Sequence, residues 1–156
     1  MELVVNEWLP EYIRPDAKDE EKRQVELFLN TFLRRPDCLF VKDRSPFHNK
    51  IMRYQKEFDY DLKARETFKM FIKLILRNLE KCRLVMEDEL NELPKETWEK
   101  LNEGGKNVDS DIYLFEAANL TTDKIIITTD AKLKTQMVED GHFQVILLKD
   151  FLRGYK

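Results

Sequence analysis

The sequence predicts an α/β fold in which a mainly parallel sheet lies between two layers of helices. Short apolar or β-branched runs recur at residues 2–5, 38–41, 124–129 and 143–148. Segments with helical spacing of apolar residues separate these runs. Strands that are apolar throughout and alternate with helices are typical of a parallel sheet covered on both faces. We therefore expect a three-layer α/β/α architecture with four to five strands.

Length and composition indicate one folded domain over residues 1–156. The chain has 156 residues, of which 42% are hydrophobic and 37% are charged. A chain of this length can bury a sizeable core without disulfides or structural metals. Only four glycines and five prolines are present, which excludes collagen-like and low-complexity classes.

Helical periodicity and start signals define the segments between the strands. Ser45 followed by Pro46 is a typical helix start, since serine caps the first turn and proline tolerates the first helical position. The strongest periodic pattern places apolar residues three and four positions apart from Phe68 to Leu79. The expected helices cover about 20–34, 45–58, 62–80, 110–120, 130–139 and a short segment after 148.

Two segments allow more than one interpretation. Residues 83–86 fit either a short additional strand or the tail of the preceding helix. Residues 87–103 carry seven acidic residues and two lysines, and their loose apolar pattern is typical of helices packed on a core. Alternatively, Trp98 and Leu101 anchor a protein partner or a second copy of the chain, because aromatic residues dominate interfaces. We expect a loop at 102–107.

The net charge of −3 provides no overall attraction to nucleic acid, so such binding needs a local patch. One such patch lies at residues 42–56, which contain five basic residues and one acid. Arg44, Lys50, Arg53 and Lys56 are the candidates for contacts with RNA phosphates. The ordinary alternative is a solvated helix face.

Cysteine usage and the absence of long apolar runs point to a cytoplasmic protein. Cys38 and Cys82 are isolated and have no metal-binding or disulfide spacing. No apolar run approaches the length of a membrane helix. The first residues lack the basic region of a signal peptide. We therefore expect no contact with a membrane.

Polar residues follow two of the predicted strands, where a parallel sheet forms its ligand crevice. Asn6 follows the first strand, Asp130 follows the strand at 124–129, and Asp109 and Asp111 open the preceding helix. Oxygen ligands of this kind suit Mg²⁺ or Mn²⁺, which can activate water for phosphodiester hydrolysis. Each acid also fits a role as a helix cap. Their joint placement favours a metal site.

The segment DSDIYLFEAANLTTDKIIITTDAKL, residues 109–133, resembles the C-terminal half of a PIN domain. Asp111 opens a helix with Leu114 and Ala118 three and seven positions later, and an apolar strand then ends in Thr-Thr-Asp at 128–130. The order of strands and helices is also similar to that family over most of the chain. The resemblance implies a PIN-like fold for the whole chain.

The resemblance further implies a metal-dependent endoribonuclease that cuts single-stranded RNA with Mg²⁺ or Mn²⁺. Asp111 and Asp130 would hold the metal, and Asp109 would assist them. Asn6 stands where the family has its first aspartate. Because an amide brings no negative charge, it binds a divalent metal more weakly than a carboxylate does.

A second departure from the family concerns the glutamate expected in the helix after strand 2. That position falls near Asn49 or Lys50, and neither residue is acidic. Glu7 and Glu57 are the candidates to replace it. The missing acids favour a second hypothesis, in which a catalytically inactive PIN-like domain binds RNA or a protein partner, including a second copy of itself.

Overall fold

The computed structural model describes residues 1–103 and 110–156. The strands in these ranges are β1 Glu2–Val5, β2 Cys38–Lys42, β3 Cys82–Val85, β4 Ile125–Thr128 and β5 Gln144–Leu147. The α-helices are α1 Trp8–Ile13, α2 Asp19–Arg34, α3 Pro46–Glu57, α4 Leu62–Phe71, α5 Lys95–Asn102, α6 Ile112–Asn119, α7 Ala131–Gln136 and α8 Leu148–Gly154. A π-helical turn, Ile72–Leu76, extends α4, and one 3₁₀ turn covers Glu87–Glu89.

The five strands form one sheet in the order β3-β2-β1-β4-β5, and every pair of neighbours is parallel. β1 lies at the centre, with Leu3 opposite both Leu39 of β2 and Ile125 of β4. Helices cover both faces of the sheet, so the predicted α/β/α architecture is confirmed. The strand order changes direction between β1 and β4, and ligands bind at such switch points beyond the carboxyl ends of the strands. We call this side of the sheet the carboxyl edge.

Burial of the strands explains why their sequences are apolar throughout. Every residue of β4 is buried, and so are Leu3, Val4 and Val5 of β1. On one side α2 packs against α1 and α8, while α6 packs across β1, β2 and β4. Because both faces of the central strands are covered, neither face can carry exposed polar residues.

The structure shortens the helix predicted at 62–80. The regular α-helix ends at Phe71, and in the π-helical turn the Arg77 N–H donates to the Ile72 carbonyl, five residues earlier. Such a widened turn rotates the following residues away from the helical apolar face. Leu79, which fits the sequence pattern, is consequently 93% exposed in the turn before β3.

The structure adds a helix that the sequence did not predict and decides between the two interpretations of residues 83–86. Helix α1 has only six residues and includes Pro10. The first turn of a helix tolerates proline because the N–H groups there have no helical partner, so no hydrogen bond is lost. Residues 82–85 form a strand, β3, which pairs in parallel with β2. Most of the loop expected at 102–107 lies outside the described residues, as does Asp109.

Both cysteines are free thiols. Burial raises the pKa of Cys82 to about 12, with a smaller contribution from Cys38, so its thiol stays protonated and unreactive. Across residues 1–103 and 110–156, no helix has the length and apolar character needed to cross a bilayer.

A buried carboxylate joins α5 to the turn before β5. Asp140 accepts a hydrogen bond from the Thr97 hydroxyl at 2.6 Å. Its second oxygen accepts from the backbone N–H groups of His142 at 3.0 Å and Phe143 at 3.1 Å. Both side chains of the Asp140–Thr97 pair are buried, and so is the bond from the Phe143 N–H, so these two donors have no access to water as a substitute.

Replacing this carboxylate should destabilise the protein. Asp140→Ala leaves buried donors without an acceptor, and we expect a loss of about 2–3 kcal/mol in the free energy of unfolding, measured with urea. Asp150→Ala is the matched control, because Asp150 is exposed and paired only with Arg153; its effect should stay within about 0.5 kcal/mol. Equal effects of the two variants would contradict the structural role of Asp140.

Candidate functional site

The structure brings the ends of β1 and β4 together through hydrogen bonds. Asn6 follows β1 and donates its amide Nδ2–H to the Thr128 hydroxyl oxygen at 2.7 Å. The same oxygen accepts the backbone N–H of Asp130 at 3.0 Å. Thr128 is fully buried. Asn6 and Asp130, two candidates from the sequence, therefore share one hydrogen-bonding partner at the carboxyl edge.

Asp130 acts as a helix cap in this arrangement. Its Oδ1 accepts the N–H groups of Lys132 at 2.9 Å and Leu133 at 3.1 Å, at the start of α7. The side chain is exposed. Asn6 is also engaged, since its Oδ1 accepts the Trp8 N–H at 3.3 Å. The ordinary capping role considered from the sequence is thus present for Asp130.

Asp111 lies at the start of α6, and its backbone carbonyl accepts the Leu114 N–H at 3.0 Å. Tyr113 in the first turn of α6 is 5% exposed, and its hydroxyl has no hydrogen-bond partner among the described residues. Burial raises the pKa of this tyrosine, and the carboxylates of Glu7 and Asp111 raise it further. Both carboxylates therefore contribute to the raised pKa of the same buried hydroxyl.

Lys50 is one of the two residues, with Asn49, near which the resemblance implies an acid. Its Nζ lies 3.0 Å from the Glu7 carboxylate and 2.7 Å from that of Glu11. The Tyr54 hydroxyl donates to the same Glu11 oxygen at 2.7 Å. Burial lowers the pKa of Lys50, but its bonds to Glu11 and Glu7 raise it by more. Helix α3 thus presents a permanent ammonium group to α1 and the end of β1.

The remaining basic candidates differ from Lys50 in their surroundings. Arg44 is 89% exposed and lies 3.7 Å from Asp43. Arg53 is exposed, stacks on the Tyr54 ring at 5.1 Å and lies 4.0 Å from Glu57. Lys56 is also exposed. Arg44, Arg53 and Lys56 therefore present charge to solvent, whereas Lys50 is held between two glutamates.

The resemblance implies that residues at this edge hold Mg²⁺ or Mn²⁺. Among the described residues, no group of three or more His, Cys, Asp or Glu side chains is placed to hold a metal ion. Glu7, the nearest candidate to replace the missing acid, is paired with the Lys50 ammonium. A neighbouring cation opposes the binding of a divalent cation. The described residues by themselves therefore form no such ligand group, and Asp109, one of the predicted site residues, lies outside them.

Two cavities adjoin at the carboxyl edge beside β2. The first, which we call the cleft, has a volume of about 490 Å³ and lies beyond the end of β2. The second, which we call the groove, has a volume of about 460 Å³ and lies beside α5. The cleft is lined by Lys42, Arg44, Ser45, Pro46, Ile112 and Tyr113, among others. The groove is lined by Leu90, Leu93, Trp98, Ile112 and Glu116, among others.

An ion-pair cluster that the sequence analysis missed separates these cavities. Lys42, the last residue of β2, contacts the carboxylate of Glu116 on α6 and lies 3.1 Å from that of Glu87. Burial lowers the pKa of Lys42, but its bonds to these two glutamates raise it by more. One signal was present in the sequence, because Glu116 interrupts an otherwise apolar helix.

Comparison with known proteins found no relative of this chain. The chain matches no protein-family model, no curated protein and no solved structure. The PIN-like interpretation therefore depends on the motif at residues 109–133 and on the order of the elements.

Removal of the Lys50 charge should reveal the energetic role of its two ion pairs. Burial raises the pKa of Glu11, but hydrogen bonds from Lys50, Tyr54 and Arg14 together bring it below its ordinary value of 4.5. A lowered carboxylate pKa contributes stability above the unfolded value, and this contribution disappears as the pH falls through the folded value. We expect Lys50→Met to cost about 1–3 kcal/mol at neutral pH, by urea unfolding, and progressively less below pH 4.5.

Lys63→Met is the control for this substitution. Lys63 pairs with Glu26 at 2.5 Å, but its side chain is largely exposed, so its loss should cost less than about 1 kcal/mol. A Lys50→Met deficit that is equally large at acidic pH would show that packing, and not the ion pair, is responsible.

Proposed function

We propose that this chain is a PIN-like domain that binds single-stranded RNA without metal-dependent cleavage. The observation that carries the proposal is the Lys50 ammonium, which lies between Glu7 and Glu11. The resemblance implies a carboxylate near this point, at about Asn49 or Lys50. Because this ammonium takes up the Glu7 and Glu11 carboxylates, it opposes the binding of a divalent metal there. The neutral amide of Asn6 also weakens the binding of a divalent metal, because it brings no negative charge.

Exposed cations along α3 support the RNA-binding part of the proposal. Arg44 lies just before this helix, and Arg53 and Lys56 lie on it, all with exposed side chains. Cations spaced along one helix can follow a phosphate backbone, and this contact requires no base sequence. A cytoplasmic location belongs to the same proposal, since free thiols and RNA are both typical of that compartment.

Binding and cleavage should be measured on the same protein. We expect labelled, mixed-sequence single-stranded RNA to bind with salt-dependent affinity, followed by fluorescence anisotropy, because exposed cations provide the contact. The same RNA should stay intact with Mn²⁺ and with EDTA, as judged on a denaturing gel. Asp130→Asn serves as the control variant and should change neither result.

Two other outcomes would decide between the hypotheses that the sequence suggested. Cleavage that requires Mn²⁺ and disappears in Asp130→Asn would replace our proposal with the active endoribonuclease, in which Asp111 and Asp130 hold the metal. Failure of the intact chain to bind RNA at low salt would reject the RNA-binding proposal altogether.

A charge-removal variant tests the proposed contact surface. Arg53→Ala combined with Lys56→Ala should weaken binding to all RNA sequences and lower the slope of log affinity against log salt by about 0.7 for each lost contact. The charge-matched control combines Lys73→Ala with Arg77→Ala, because both side chains are exposed and Arg77 lies before β3, away from the carboxyl edge. Equal losses in both variants would indicate non-specific attraction and contradict a defined surface on α3.

A further inference from the structure

We propose that the groove beside α5 binds the base of a nucleotide whose phosphate lies in the adjoining cleft, with Trp98 as the stacking surface. This inference rests on the proposed RNA-binding function and deepens it by assigning a subsite. The ligand is a nucleotide unit, present either in a single-stranded RNA chain or as a free nucleoside phosphate.

Trp98 is an aromatic surface on a well-anchored helix. It is 47% exposed and lines the groove, whereas its neighbours on α5, Thr97 and Leu101, are buried. Thr97 is held by Asp140 in the hydrogen bond at 2.6 Å, so α5 cannot easily rotate to bury the indole. A pre-positioned aromatic ring accepts any base, because every base has a π-face, and stacking typically contributes about 1–3 kcal/mol.

The groove and the cleft lie side by side. Ile112 lines both cavities, Glu116 lines the groove, and its ion-pair partner Lys42 lines the cleft. The groove walls are apolar at Leu90 and Leu93, and its volume of about 460 Å³ falls within the range of small-ligand pockets, roughly 300–1,000 Å³. A ligand that spans both cavities needs one flat apolar part and one polar part.

The cleft supplies the groups that an anion requires. Arg44 has a positive φ of 55°, a conformation that costs energy for a residue other than glycine and that often occurs at functional sites. Its backbone N–H donates to His48 Nδ1 at 3.2 Å, and its carbonyl accepts from Asn49 Nδ2 at 3.2 Å. Two hydrogen bonds therefore hold this backbone conformation, and the exposed Arg44 lines the cleft.

Two other features of the cleft favour the same ligand group. The 12-residue helix α3 begins there at Pro46, and the N-terminus of a helix favours negative charge. Tyr113 lines the cleft and carries a buried hydroxyl that lacks a partner among the described residues. Its raised pKa keeps this hydroxyl protonated, so it has a proton to donate to an acceptor such as a phosphate oxygen or water.

Charge also determines the orientation of the nucleotide. Glu92 and Glu116 line the groove against one cation, Lys95. The cleft has two cations, Lys42 and Arg44, against Asp43 and Glu87, so its lining is the less acidic of the two. Carboxylates oppose a phosphate but accept a neutral base. The phosphate is therefore expected at Arg44 and the base at Trp98, and not the reverse.

Tryptophan fluorescence provides a direct test. Trp8 is 3% exposed and donates its indole N–H to the Ile127 carbonyl at 3.0 Å, so added quenchers act on Trp98. We expect oligoadenylate RNA and AMP to quench this emission, and ribose 5-phosphate to have no such effect. Trp98→Ala should weaken RNA binding by about 5- to 100-fold, the loss of one stacked base, and Trp98→Phe should retain part of the affinity.

Leu79→Ala is the matched control, because it removes another exposed apolar side chain at a distant turn; its RNA affinity should equal that of the unmodified chain. RNA binding that is unchanged in Trp98→Ala would overturn the subsite and leave the RNA-binding proposal intact. Equal quenching by ribose 5-phosphate would also overturn it. Shielding of Trp98 from acrylamide that grows with protein concentration, without RNA, would assign the groove to a second copy of the chain.

Failure of RNA binding is distinguishable from failure of the subsite. Quenching of Trp98 by AMP in a chain that does not bind RNA would support the nucleotide subsite and reject the RNA proposal. Absence of quenching by both AMP and RNA, while anisotropy reports RNA binding, would reject only the subsite.

Discussion

Burial of β1 in the middle of a parallel sheet is the constraint on which the rest of the structure depends. Its apolar residues pair with β2 on one side and with β4 on the other, and helices cover both faces. The carboxyl end of β1 is consequently held against that of β4, where Asn6 and Thr128 are hydrogen-bonded. The other polar groups of the candidate site lie around these two strand ends.

Two lysines at the carboxyl edge are held in the same way. Lys50 lies between Glu7 and Glu11, and Lys42 lies between Glu87 and Glu116. In each case a half-buried ammonium group retains its charge because two carboxylates offset the cost of desolvation. These cations organise the edge internally, while the exposed arginines and lysine near α3 face solvent. This division between internal and external charge is the basis of our proposal that the domain binds RNA.

Much of the fold was predictable because it depends on local patterns. Ser45 caps α3 by accepting the His48 N–H, as its position before proline predicts. The strands occur where the apolar runs predict them, because a buried parallel strand has no polar face. The errors have local causes as well: the π-helical turn after Phe71 breaks the helical period, and α1 is too short to produce one. Of the candidate site, the sequence correctly predicted that Asn6 and Asp130 meet at one edge.

The sequence by itself determined the fold class, the order of the elements and most of the helix starts, since each depends on residues close in the chain. Only the tertiary structure decided that Lys50 pairs with Glu7 and Glu11, and that Trp98 and Tyr113 border adjoining cavities. These contacts join residues far apart in the chain, and they depend on how α1, α3, α5 and α6 pack on the sheet. No local periodicity specifies that packing, because apolar faces determine which side of a helix is buried and not which polar groups meet at its ends.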